Sequence, residues 1–184
     1  MRTANEMYKY CLQNDFGKGW NEKWALKHFG VLEQTLQSDE EVKTCYIGIH
    51  NYVSATQASG NFAYAITNKR IIFGQKGLFG QTVKSVSLNT VNDITLSCNN
   101  LRGLGVITFD TLKERFNTAL NQATANKVYA KIHEVIDLIK HPAPASVVPT
   151  TTAADEILKY KNLLDMGAIT QEEFESKKKQ LLGL

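Results

Sequence analysis

The chain has 184 residues, 43% of them hydrophobic, an ordinary fraction for a packed globular protein with room for one core and an appendage. The net charge of +3 is uneven, with 5 bases against 6 acids in residues 1–40, 11 against 6 in 41–140 and 5 against 6 in 141–184, well short of the dense basic stripe of a protein held by many phosphates. No apolar run approaches the roughly 18 residues of a membrane span, and Arg2, Asn5, Glu6 and Lys9 break any signal-peptide core, so a cytoplasmic location is expected.

Residues 1–40 read as a helical extension. Ala25, Phe29, Leu32 and Leu36 repeat at helical spacing after a capping Asn21, predicting a helix from Glu22 to Gln37, with a shorter one near Asn5 to Gln13. Phe16, Trp20 and Trp24 fall close together around Gly17 and Gly19. Three large aromatics need a surface to bury against, either the following domain or a partner.

From 41 to 140 the pattern changes to short runs rich in Val, Ile, Thr, Tyr and Phe, broken by Asn, Gly and Ser. The expected strands are Val42 to His50, Asn61 to Thr67, Arg70 to Gln75, Gln81 to Leu88, Asp93 to Cys98, Leu104 to Asp110 and Glu114 to Thr118. Asn68-Lys69 reads as a tight hairpin turn, Asn tolerating positive φ. Cys98 shares a strand phase with Ile94 and Leu96 and is expected to be a small buried hydrophobe. Val128, Ile132, Val135, Ile136 and Ile139 then share one helix face, which must cover the open end of the sheet.

All three prolines lie between His141 and Thr152, a stretch with no Gly, charge or period, expected to be an extended linker of about 3.1 Å per residue. Residues 153–184 carry two helix signatures. Ile157, Tyr160 and Leu164 repeat after a Thr152 cap, and Gly167 ends that helix. Thr170 with Glu173 forms a capping box, Ile169 outside it can staple onto Phe174, and Glu172, Glu173 and Lys177, Lys178, Lys179 complement the helix dipole. Pairs such as Glu173 with Lys177 and Glu175 with Lys179 account for the lysine run without a nucleic-acid partner.

The residues that carry chemistry are sparse. His28, His50, His133 and His141 are scattered and at no metal-ligand spacing. Cys11, Cys45 and Cys98 are odd in number and unpaired in motif. The two glycines of Asn99-Asn100-Leu101-Arg102-Gly103-Leu104-Gly105 lack the rest of a phosphate-binding fingerprint. The chain is read as non-enzymatic, with no catalytic residue, no cofactor and no metal.

The run Leu164-Asp-Met-Gly-Ala-Ile-Thr-Gln-Glu-Glu-Phe-Glu-Ser-Lys-Lys-Lys-Gln-Leu-Leu182 resembles the SHOCT domain, a short C-terminal bacterial module, over Asp155 to Leu182. Ala65-Ile-Thr-Asn-Lys-Arg-Ile-Ile-Phe-Gly74 and Ser85-Val-Ser-Leu-Asn-Thr-Val-Asn-Asp-Ile-Thr-Leu96 resemble bacterial pleckstrin-homology-like (PH-like) domains, which often carry a SHOCT tail. The resemblance implies an α+β fold: a bent antiparallel β-sandwich or barrel of about seven strands capped by a C-terminal helix, with N-terminal helices and a two-helix tail. In PH domains that hold inositol phosphates it would also require several bases in the first hairpin loop. Here that loop, Asn51 to Asn61, has none, so no specific phosphoinositide is expected. Lys69, Arg70, Lys76, Lys84 and Arg102 remain, either as solvated hairpin residues or as a surface for weak contact with anionic lipid or nucleic acid.

Two such short helices have too little apolar surface to offset the entropy of ordering them. The apolar faces of Ile157, Tyr160 and Leu164, and of Ile169, Phe174 and Leu181, are therefore expected to bind a partner, first of all the tail of a second copy, with the PH-like domain supplying a binding surface.

Overall fold

The apolar runs form seven strands: β1 (Val42–His50), β2 (Asn61–Thr67), β3 (Arg70–Lys76), β4 (Gln81–Ser87), β5 (Val91–Asn99), β6 (Leu104–Thr111) and β7 (Arg115–Asn121). Among the described residues five α-helices accompany them: α1 (Ala4–Gln13), α2 (Glu22–Glu33), α3 (Gln122–Lys140), α4 (Ala153–Asp165) and α5 (Gln171–Leu182). The computed structural model describes residues 1–17, 20–141 and 153–182, in two units, Met1–Pro142 and Ala143–Leu184. The expected linker, 141–152, with its Thr152 cap, lies beyond His141 outside the described residues.

All neighbouring strands are antiparallel, in the order β4-β3-β2-β1-β7-β6-β5. β1 pairs with β2 along its length but meets β7 only at Ile49 and His50. The sheet therefore bends at β1 into a half-barrel. Its concave side is filled by an aromatic column: Tyr46 stacks on Tyr64 at 4.9 Å, Tyr64 on Phe73 at 5.5 Å, Phe73 on Phe116 at 4.6 Å and Phe116 on Phe109 at 4.8 Å. α3 covers that side through Ala125, Val128, Ile132, Val135 and Ile136, the expected face, beginning at a capping Asn121. Where α3 crosses β6, a Cβ on Gly105 would collide with the Ala125 methyl, so this contact needs glycine.

α1 and α2 cover the other side of β1, β2 and β3, burying Met7, Cys11, Ala25, Phe29 and Leu32. That second cover explains why β2 and β3 read as unbroken apolar runs, since a strand buried on both faces loses its alternation. α1 starts after a Thr3 capping box closed by Glu6, whose carboxyl is held below its usual range by the backbone N–H groups of Arg2 and Thr3.

Four local expectations are corrected. α2 ends at Glu33 and not at Gln37, because the carbonyls beyond it are taken from outside: Arg70 donates to the Thr35 carbonyl and Arg2 to those of Gln37 and Glu40. The two-residue turn at Asn68-Lys69 is present, but without positive φ at Asn68, whose side-chain amide instead accepts from the Glu41 N–H at 2.8 Å and donates to the Asp39 carbonyl at 3.1 Å. Cys98 keeps the phase of Ile94 and Leu96, yet is exposed. β5 is an edge strand, and burial fades along it from Ile94 to Leu96 to Cys98. In the tail, Glu173 is drawn back onto Thr170, accepting from its N–H at 2.9 Å, so the lysine that pairs is Lys178, 3.9 Å from Glu175.

Glu40 is the polar anchor of the first unit. Its side chain is fully buried, and its carboxylate accepts from Arg70 Nε at 2.9 Å and Nη2 at 2.8 Å, from the Thr67 hydroxyl at 2.7 Å and from the Gln37 N–H at 3.1 Å. Burial alone would raise its pKa; these hydrogen bonds, led by Arg70, outweigh it and bring it down to about 2. A carboxyl lowered on folding stabilises above its unfolded pKa of about 4.5, and loses that contribution as pH falls towards 2. Glu40→Gln is accordingly expected to lower the free energy of urea unfolding at neutral pH by about 3 kcal/mol, with a shallower loss than the native chain between pH 4.5 and 2. Gly105→Ala is expected to cost about 1–3 kcal/mol in the same measurement, since either α3 or β6 must shift.

Candidate interaction site

The five bases do not converge. Lys69 Nζ lies 2.7 Å from both carboxylate oxygens of Asp39, and Arg70 is spent on Glu40. Lys84 pairs with Glu114 at 3.2 Å. Lys76 lies at the far end of β3 from Arg70, roughly 20 Å away at strand rise. Arg102 sits in the β5–β6 turn, at the opposite end of the sheet from the β3–β4 turn. Asp39 and Glu40 precede their partners by 30 residues, so no local pattern shows the pairing.

The buried reactive groups are quenched. Burial holds the His50 pKa down, to about 4, and its Nδ1 lies 2.6 Å from the Tyr64 hydroxyl inside the aromatic column. Cys45 is fully buried with its thiol pushed up by desolvation, 3.8 Å from Cys11 Sγ. Among the described residues no group of three His, Cys, Asp or Glu side chains is placed to hold a metal ion.

What the first unit does present is a groove of about 620 Å³ between α2 and the β3–β4 hairpin. Its helical wall includes Trp24 and His28, whose rings lie 3.9 Å apart; Trp20, just before α2 and outside the groove, backs Trp24 at 4.9 Å. Of the expected aromatic trio, Phe16 is buried against Tyr10, whereas Trp20 and Trp24 are half-buried. His28 Nδ1 is 3.0 Å from the Trp24 carbonyl, and burial lowers its pKa, keeping the ring neutral. The opposite wall is Lys76, Gly77 and Leu78. The hairpin tip is almost naked, Leu78 being 88% and Phe79 98% exposed. The β1–β2 loop at the same end of these strands also carries an exposed apolar residue, Val53.

Lys27, Gly30, Leu78 and Phe79 were not singled out from sequence. The apolar pair between Gly77 and Gly80, inside a hairpin that otherwise has no reason to be greasy, was the available signal. The meeting of that hairpin with α2 had none.

In the tail unit, Gly167 at φ +72° reverses the chain between α4 and α5, and Thr170 and Glu173 close the expected capping box. Phe174 is buried, while Ile157, Tyr160, Leu164, Ile169 and Leu181 are half-buried. Leu158, Met166 and Leu182 are exposed.

Among the described residues no helix is long and apolar enough to cross a membrane. No curated protein matches the chain. Among solved structures it is similar to a DUF1696-family protein with a pleckstrin-homology domain from Shewanella loihica PV-4 (15% identity, 59% of this chain and 89% of that one, TM-score 0.40). It is also similar to the hSac2 domain of human phosphoinositide phosphatase Sac2 (12% identity, 77% and 85%, TM-score 0.44) and to the Vps36 N-terminal PH domain (12%, 55% and 85%, TM-score 0.40). The family model described as "Bacterial PH domain" matches residues 36–134, and that described as "Short C-terminal domain" matches 155–182. With more than half of its length matched by the first model, the chain belongs to the bacterial PH domain family and carries a C-terminal SHOCT domain.

Proposed function

We propose that the protein is a non-enzymatic cytoplasmic binding module in which the PH-like domain presents a partner-binding surface and the SHOCT hairpin joins copies of the chain. PH-like domains are interaction modules, and both matched families fit a role without catalysis. The observation that carries the reading is the tail's exposed grease. Two helices of 13 and 12 residues leave Ile157, Tyr160, Leu164, Ile169 and Leu181 half-covered and Leu158 and Met166 in water. Short helices gain most of their stability from packing an apolar face, so this hairpin is completed by a second apolar surface. The nucleic-acid and anionic-lipid readings of the five bases lose support because Lys69, Arg70 and Lys84 are already engaged by Asp39, Glu40 and Glu114.

Light scattering on the full chain is expected to give a multiple of 20.6 kDa, falling to a single copy when the chain is cut after residue 149. The double substitution Ile157→Asp and Leu164→Asp is expected to do the same without touching the PH-like domain. An unchanged mass in both variants refutes joining through the tail.

A further inference from the structure

We propose that the groove between α2 and the β3–β4 hairpin receives an extended, acidic segment of a protein partner that anchors itself with a large apolar side chain. The inference rests on reading the PH-like domain as the binding surface, and does not depend on whether the tails join.

Charge gives the sign of the partner. Lys27 and Lys76 border the groove and no carboxylate lines it, so an acidic segment gains on approach what a basic one would lose. The walls give its apolar content. Trp24, held flat by stacking on Trp20 and on the buried His28, makes a stiff face, the kind of surface on which an aromatic or branched side chain is desolvated at little entropic cost. Leu78 and Phe79 carry the apolar surface past the groove onto the hairpin tip, so the surface is longer than the pocket and suits a chain better than a compact molecule. The far end supplies main-chain partners: Gln81, which lines the groove, opens β4, an edge strand paired on one side only. A segment leaving the groove there can add to the sheet as a further strand.

Gly30 is the second, independent sign. It lies inside α2, where glycine is a poorer helix former than alanine. Nothing lies within 4 Å of where its Cβ would be, so no packing contact demands it. It does line the groove, and any side chain placed there would stand in the space. The helix gives up stability at a wall position where a side chain would stand in the cleft.

That same position supplies a test variant that keeps its fold. Gly30→Leu is expected to melt at or above the native temperature while blocking the groove. Random peptides displayed on phage are panned at low salt against the full native chain and, in parallel, against the full Gly30→Leu chain. The native protein is expected to enrich peptides in which Asp and Glu flank Phe, Trp or Leu. Synthetic copies of these should bind Gly30→Leu about tenfold or more weakly, and the double variant Lys27→Glu, Lys76→Glu several-fold more weakly with less dependence on salt. The proposal is overturned if the native chain enriches nothing beyond the Gly30→Leu chain, or if the enriched peptides are basic or uncharged. It is equally overturned if vesicles of phosphatidylcholine and phosphatidylserine bind both proteins alike while no peptide is enriched. Because Gly30 and the tail lie in different units, failure here leaves the mass measurement standing, and the reverse.

Discussion

The first unit turns on one buried ion pair. Glu40 sits where the N-terminal helices hand over to the sheet, and its carboxylate holds Arg70 of β3, Thr67 at the end of β2 and the Gln37 backbone at once. Arg70 in turn reaches back to the Thr35 carbonyl beyond α2. Two segments some 30 residues apart, 35–40 and 67–70, are thereby fixed to one point. A carboxylate in such a place is costly unless every lone pair is met, and here both oxygens are. An apolar replacement of the whole pair could be as stable; what the pair does is tie residues 35–40, just beyond α2, to the start of β3.

Around that point the two faces of the sheet are put to different uses. The concave side is closed by α3 and its aromatic column, and the groups buried there, His50 and Tyr64 among them, are held neutral by desolvation: the first pushed down, the second up. The convex side is closed by α1 and α2 only as far as β3. Past that limit the Trp20–Trp24–His28 stack, Lys27 and the bare hairpin tip come together. The groove there is lined by residues of α2 and of the β3–β4 hairpin.

Strands were legible from the sequence where burial on both sides made the apolar runs dense. β1 and β2 lie where Val42 to His50 and Asn61 to Thr67 place them, and the Val128-to-Ile139 stripe marks the helix face that meets the sheet. The tail was legible for another reason, since Gly167, Thr170 and Glu173 act within one or two turns of each other. What could not be read was non-local. Nothing near Arg70 announces Glu40, and nothing near Leu78 announces Trp24. Cys98 misled because strand phase gives the side a residue faces but not whether anything lies over that side. Asn68 acted through its amide and not its backbone, a choice that depends on Asp39 and Glu41 arriving alongside.

The half-barrel also leaves a row of outward-facing main-chain groups along β4, six of whose seven residues are exposed. If two copies met there in antiparallel fashion about a two-fold axis, the middle residue of each strand, Lys84, would face its own twin, and opposed ammonium groups disfavour that pairing. Set against Glu114 of its own chain at 3.2 Å, the lysine would have to leave that partner or meet its twin, and either counts against self-pairing. A dimer closed on its own β4 strands is thereby disfavoured at its centre.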